Sequence, residues 1–323
     1  MKLLYFLTLF LFVTNFCDGN EYKRDVAMPF AAAAYSTNPN LCLSNIEKVL
    51  NPSNDPSFNI TVYKQYSVSC GGSFNDTCSG GYIAINSFTK EIIIAFRGTS
   101  NFEQLLSQGW NSNEMVAFIS GGKVSKSFFD GFNGIWMNRG MRNDFYALKN
   151  RFPDYLFIFV GHSIGGAMAS LAAATVISSG VFTVDKISLF TFGQPRTGDK
   201  TFANAYNALE IQTSRIVHNR DIIPHLPSLN NSIYYHHRQE IWYNNDMGVH
   251  DDSSIFCSYE DGEDPTCSDS LDATKLNIKD HKYYFGREFS QYGISGCPDL
   301  VATKEANLKH LKVAKKLSTR FLG

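Results

Sequence analysis

The residues with the clearest chemical potential are the five of Gly161-His162-Ser163-Ile164-Gly165. A serine hydroxyl can attack a carbonyl carbon and carry the acyl group as an ester. It does so when a base takes its proton and fixed N–H groups receive the charge that builds on the carbonyl oxygen. The setting suits that task. An apolar run over residues 157–160 precedes the serine, and an Ala-rich stretch over 164–178 follows it. Strand, sharp turn and helix in that order lift the hydroxyl at the end of a sheet and leave the first helical N–H groups unpaired beside it. Gly161 and Gly165 flank the bend because side chains there would collide across it.

A G-x-S-x-G match alone is weak, since composition produces one in about a tenth of chains this long. A Gly-rich turn with a solvated serine is the plain alternative, so partners must be found. On an elbow of this kind an orienting acid, and then a histidine, follow the serine along the chain. Asp221 stands just past a predicted strand, in Val217-His-Asn-Arg-Asp-Ile-Ile-Pro224. Strand ends are where such a sheet carries its reactive groups. His281 stands in Asp280-His-Lys-Tyr-Tyr-Phe-Gly286. Chain order favours it only modestly over His218, His225, His236, His237 and His250, and a loop aspartate is more often a turn cap.

The elements that must position these groups alternate. Helices are predicted over residues 21–35, 128–151, 164–178 and 201–210, the second interrupted by Gly131, Gly134 and Gly140. Strands are predicted over 82–88, 92–96, 155–160, 186–192, 214–218 and 234–243. Residues 51–58 read as loop, and 70–81 as a turn-rich hairpin tip. Such alternation predicts an α/β fold with a mostly parallel sheet and helices on both faces. No repeat, low-complexity linker or domain break interrupts it.

The chain has 323 residues, 44% hydrophobic and 18% charged, with a formal net charge of −1. A packed core is expected, and nothing in the charge argues for nucleic acid. Residues 1–19 read as a secretory signal peptide, with Lys2, an apolar run over 3–13 and small residues around Gly19. An uncleaved anchor is the alternative, but the run is short for a bilayer. Loss of Cys17 with the signal leaves Cys42, Cys70, Cys78, Cys257, Cys267 and Cys297, an even set that suits three disulfides in an extracellular protein. Sequence does not choose among the connectivities. Local loops favour Cys70–Cys78 and Cys257–Cys267, leaving Cys42–Cys297 to join the two ends. Asn59, Asn75 and Asn230 are glycosylation acceptors in N-x-S/T context. No cysteine or histidine spacing suggests a metal, and no cofactor is implied.

Five stretches occur in an order similar to that of the class 3 lipases, the family typified by secreted fungal triacylglycerol lipases. They are Phe96-Arg-Gly-Thr99, the elbow 161–167, Phe192-Gly-Gln-Pro-Arg-Thr-Gly198, Asn219-Arg-Asp-Ile-Ile-Pro-His-Leu-Pro227 and Asp280-His281 with Tyr284-Phe285-Gly286. The resemblance covers residues 20–297. It implies an α/β-hydrolase fold with a helical lid, Ser163 as nucleophile, Asp221 as orienting acid and His281 as base. It also implies an oxyanion hole from the backbone N–H groups of Thr99 and Ile164, with the Thr99 hydroxyl as a further donor, and it supports the Cys42–Cys297 pairing. Two positions depart from the family pattern. Val124-Ser-Lys-Ser127 replaces a common Val-His-x-Gly, and Ile164 replaces a common Leu.

Phe102, Leu105, Leu106 and Trp110 recur at i, i+3, i+4 and i+8, one face of a helix. The pattern alone means an amphipathic helix on the core. Its place after the Thr99 strand, with the resemblance, makes it a lid. Residues 298–323 form a basic C-terminal extension with interleaved apolar residues, suited either to an anionic membrane surface or to a solvated terminal helix. Together these features predict a secreted, extracellular serine carboxylester hydrolase acting on lipid esters at an interface, most simply acylglycerols. Peripheral contact with a membrane or lipid-droplet surface goes with it. Phospholipase A1 and other esterases share the chemistry. An acyltransferase, or an inactive lipid-binding protein on the same fold, are readings from other classes.

Overall fold

Residues 91–97 read Glu-Ile-Ile-Ile-Ala-Phe-Arg, apolar at every interior position. That is the signature of a strand covered on both faces. In the computed structural model, which describes residues 22–51, 55–56, 59–69, 77–99, 114–229, 233–249 and 253–298, they form a central strand. Among the described residues, eight strands make the main sheet: β1 (Ile60–Ser69), β2 (Thr77–Asn86), β3 (Glu91–Arg97), β4 (Leu156–His162), β5 (Ile187–Phe192), β6 (Gln212–His218), β7 (Glu240–Tyr243) and β8 (Ile255–Phe256). Their order in space is their order in the chain. β3 to β7 are parallel, and β1 and β2 at one edge and β8 at the other are joined through antiparallel pairs.

The helices are α1 (Met28–Ala33), α2 (Asn40–Leu50), α3 (Lys126–Asn133), α4 (Met141–Arg151), α5 (Ile164–Ser178), α6 (Lys200–Ala208), α7 (Ile278–Lys282) and α8 (Phe289–Ile294). Alternate strand residues serve opposite faces, as the two-residue period of a strand requires. Ile93, Ala95, Ile158 and Val160 join Phe30, Leu43 and Phe289 on one face. Ile92, Ile94, Phe96, Phe157 and Phe159 join Phe132, Phe145 and Leu171 on the other. The Ala-rich α5 is buried nearly throughout, so its small side chains let its backbone lie close against the sheet. No helix among the described residues is long and apolar enough to cross a membrane.

Two sequence expectations need correction. The long helix over 128–151 is broken: α3 runs into a wide turn at Gly134–Asn138, and Gly140 at φ 80° separates it from α4. Only glycine takes that left-handed angle without strain. The late strand over 234–243 is also split. Tyr234–Tyr235 joins a small four-stranded sheet, and Glu240–Tyr243 is β7, because His236 and His237 turn into a buried polar network between them. Strand β1 and helix α2 were not anticipated, although buried Cys42, Leu43, Ile46 and Val49 mark one helical face.

The Cys42–Cys297 and Cys257–Cys267 disulfides are formed as expected. Cys70, with the Cys78 side chain, lies outside the described residues, as do the signal peptide, the lid residues Phe102, Leu105, Leu106 and Trp110, the acceptors Asn75 and Asn230, and residues 299–323. Asn59 is described and exposed.

Candidate active site

β4 ends at His162 and α5 begins at Ile164, leaving Ser163 alone at the bend. Ser163 holds φ 58° and ψ −131°, outside the wells favoured by residues with a side chain. Such a conformation costs about 1–3 kcal/mol and persists only where surroundings impose it. Here the Ser163 N–H donates to the Phe192 carbonyl at 2.9 Å, binding the bend to β5. The expected crowding is present, since a Cβ on Gly161 would overlap the Gly165 carbonyl. Ser163 is fully buried, and its Oγ makes no hydrogen bond among the described residues.

Asp221 and His281, 60 residues apart, meet at 2.9 Å between Oδ2 and Nδ1, both fully buried. A carboxylate so deep must be satisfied by donors. Asp221 Oδ1 accepts the Ile223 N–H at 2.8 Å, and Oδ2 accepts the Tyr284 hydroxyl at 2.7 Å. Burial, and then the Asp221 charge, push the Tyr284 phenol well above its ordinary range, so it stays a donor. With Asp221 accepting from Nδ1, the remaining nitrogen of His281 is the one able to take a proton.

The segments carrying the pair are clipped together. Asn277 donates its N–H to the Arg220 carbonyl at 2.8 Å and accepts the Ile222 N–H at 3.1 Å, bridging the loop after β6. The Asn277 side chain caps α7 by accepting the Asp280 N–H at 2.8 Å. Asp280 Oδ2 takes the Arg220 N–H at 3.1 Å. Gly193, at φ 57°, leaves room for the pair: a Cβ there would stand 2.6 Å from Asp221 Oδ2 and 2.7 Å from His281 Nδ1. The motif starting at Phe192 thus matters for what it lacks.

β3 delivers the other side of the site. Gly98 lies against the bend so closely that a Cβ on it would stand 2.6 Å from the His162 carbonyl and 3.0 Å from the Ser163 Cβ. Thr99 follows it directly in the chain, and α5 begins just past Ser163. There Ile164 is the first helical residue, whose N–H has no partner within the helix.

Residues 93–231 match the family described as Lipase (class 3). Lipase ZK262.3 of Caenorhabditis elegans is 30% identical over an alignment 304 residues long, which covers 86% of this chain and 82% of that protein. The chain belongs to the class 3 lipase family. The Rhizomucor miehei lipase is 31% identical over 204 residues, 61% of this chain and 52% of the relative, so the match spans about half of the fungal protein. Among solved structures, the lipase of Rhizopus microsporus var. chinensis aligns with a TM-score of 0.70 at 26% identity, covering 85% of this chain and 90% of that one. Membership makes the chain a lipase-like ester hydrolase on an α/β-hydrolase fold.

Within this lipase-family site, the competing histidines have other partners. His218 Nδ1 bonds the Asp280 carbonyl at 2.9 Å, and His225 pairs with Asp269 at 3.2 Å. His236 bonds the Pro224 carbonyl at 2.8 Å, and His237 bonds Gln194 at 3.0 Å. His250 lies outside the described residues. Beneath the site, Arg196 makes a two-pronged pair with Glu263 at 2.8 and 2.7 Å and reaches Asp269 at 3.2 Å. It ties the Gln194–Gly198 turn to the loop closed by Cys257–Cys267.

Three groups of the site were missed in the sequence. Tyr284 sits inside a motif already singled out, and its hydroxyl three residues after the histidine was the available signal. His162, beside the serine, stacks on His281 with ring centroids 4.5 Å apart. Tyr35, just past α1, bonds His162 at 2.7 Å across 127 residues, and no local pattern marks it.

Proposed function

We propose that this lipase-family protein is a secreted serine carboxylester hydrolase that cleaves acylglycerols through an acyl-enzyme on Ser163. The observation that carries the reading is the buried Asp221–His281 hydrogen bond, found in the same fold as a buried serine at a strained strand–helix elbow. His281 takes the Ser163 proton as Oγ adds to the ester carbonyl. Negative charge builds on the carbonyl oxygen, where the Thr99 and Ile164 N–H groups and the Thr99 hydroxyl stabilise it. Losing one such donor costs about 100- to 1000-fold in rate. Collapse breaks the ester C–O bond, and His281 returns the proton to the leaving alcohol. Water then repeats the sequence, adding to the acyl carbon and releasing the fatty acid.

Asp221 holds His281 in the tautomer this requires and stabilises the imidazolium that forms. The two disulfides agree with an oxidising, extracellular location. Phe102, Leu105, Leu106 and Trp110 supply the apolar face of a cover over the site that opens at a lipid surface. Purified protein assayed on triacylglycerol, phosphatidylcholine and a short soluble ester tests the substrate class. Triacylglycerol should turn over fastest, with a rate jump as a short-chain ester passes its solubility limit. Faster phosphatidylcholine cleavage would reassign the substrate to phospholipids, and smooth saturation would remove the cover.

A further inference from the structure

The Tyr35–His162 contact joins parts of the molecule that the hydrolytic reading uses separately. The His162 ring lies between two others: the His281 imidazole at 4.5 Å and 23°, and Phe289 at 4.0 Å and 14°. Its Nε2 lies 3.0 Å from the backbone carbonyl oxygen of His281. A carbonyl only accepts, so His162 Nε2 carries a hydrogen. Its Nδ1 lies 2.7 Å from the Tyr35 hydroxyl. That hydroxyl oxygen is itself hydrogen-bonded by the Gly98 backbone, which directs the phenolic proton towards His162.

The bonds therefore run in one direction. The Gly98 N–H donates to Tyr35, the Tyr35 O–H to His162 Nδ1, and the His162 Nε2–H to the His281 carbonyl. Gly98 immediately precedes the oxyanion residue Thr99, and His281 is the base. One buried chain of neutral groups thus spans from the oxyanion strand to the base. We infer that Tyr35 and His162 are positioning residues that set the spacing between oxyanion donor and base and keep an uncharged ring flat against His281.

Neutrality matters because His281 becomes cationic in the transition state. A protonated His162 would oppose that charge from 4.5 Å, whereas a neutral ring offers it a π face. Several ionisable groups among the described residues face His162. His281 faces one side of the ring and Tyr35 its edge, and Tyr284 lies edge-on at 5.9 Å. Asp221 stands behind His281, and Arg97 and Glu288 act on Tyr35 from farther off. Burial, then the His281 charge, hold His162 well below its ordinary pKa.

The inference rests on the hydrolytic reading for its purpose, so its test includes a readout independent of turnover. In histidine-15N-labelled full-length protein, the His162 nitrogens should keep the Nε2–H pattern from pH 5 to 8. Titration of His162 within that range overturns the proposal. Tyr35→Phe should leave the Nε2–H in place, because the His281 carbonyl still holds it, and shift the Nδ1 resonance as that nitrogen loses its donor. It should also lower kcat on a soluble ester about 10- to 100-fold with KM nearly unchanged, the size expected for a misplaced base. His162→Phe, which keeps the stacked ring without its hydrogen bonds, should fall in the same range, and His162→Gln, which keeps a donor to His281, should recover part of the loss. Unchanged kcat in Tyr35→Phe overturns the proposal. A wild-type protein that cleaves no ester would instead overturn the hydrolytic reading, while the nitrogen spectra would still decide the chain.

Discussion

Asp221 does two jobs at the residue scale. It accepts three hydrogen bonds with no exposure to solvent, and it orients His281. Asp221→Asn keeps the volume but can donate an amide N–H to Nδ1, which turns His281 to the tautomer unable to take the serine proton. Activity on a soluble ester should fall about 10⁴-fold, while circular dichroism stays that of the wild type. Tyr284→Phe removes one of the three donors and leaves Asp221 charged. It should lower kcat by about 30-fold at most, since a hydrogen bond to a charged group contributes on the order of 2 kcal/mol. A rate equal to wild type would mean that Asp221 is held by its other donors alone.

The elements reach the site by their ends: β3 brings Thr99, β4 and α5 bring Ser163, β5 brings Gly193, and the loop after β6 brings Asp221. Gly193→Ala would force a Cβ into the Asp221–His281 contact at a left-handed backbone angle. It should reduce kcat on the order of 100-fold and lower the melting temperature, measured on the same sample. Full activity would show that the pair has room to shift. These strand ends were legible in the sequence because buried parallel strands read as unbroken apolar runs bounded by turns, as at 157–160 and 92–96. α5 was legible over its full length for a similar reason. The Asp221–Tyr284 and Tyr35–His162 contacts were not, because their partners are 63 and 127 residues apart and neither pairing leaves a local pattern. The glycines of residues 128–151 mark interruptions, and Gly140 is where two separate helices meet, but glycine inside a helical pattern does not decide between a kink and a full stop.

For the whole molecule, charge states and closure set stability. His162 and His236 are held well below their ordinary pKa by burial, and His237 is lowered to about 3 by burial and then by Arg215. All three are neutral in the folded state and charge on unfolding in acid. The unfolded state therefore binds more protons below about pH 6.5, and stability falls as pH drops. The slope is about 1.4 kcal/mol per pH unit for each fully neutral histidine, and for His237 it continues down to about pH 3. Glu263, raised to about 7 by burial, and Glu91, also raised by burial, work the other way, so the net slope is that of the three histidines less these two carboxyls. Urea midpoints should still decline from pH 6.5 to 4.5, and midpoints that rise over that range would mean that these histidines are protonated in the fold. Cys42–Cys297 closes 255 residues and fastens α2 to the end of α8. Replacing both cysteines by serine should cost on the order of 5 kcal/mol at most, read from the same urea curves.

The central claim is that Ser163 carries the acyl group. The most direct measurement is reaction with a long-chain p-nitrophenyl alkylphosphonate, followed by peptide mass spectrometry. Released p-nitrophenol should match the activity lost one for one, with the phosphonyl mass on the peptide containing Ser163 and no labelling of Ser163→Ala. A phosphonyl group on another residue, or ester hydrolysis surviving in Ser163→Ala, would contradict it.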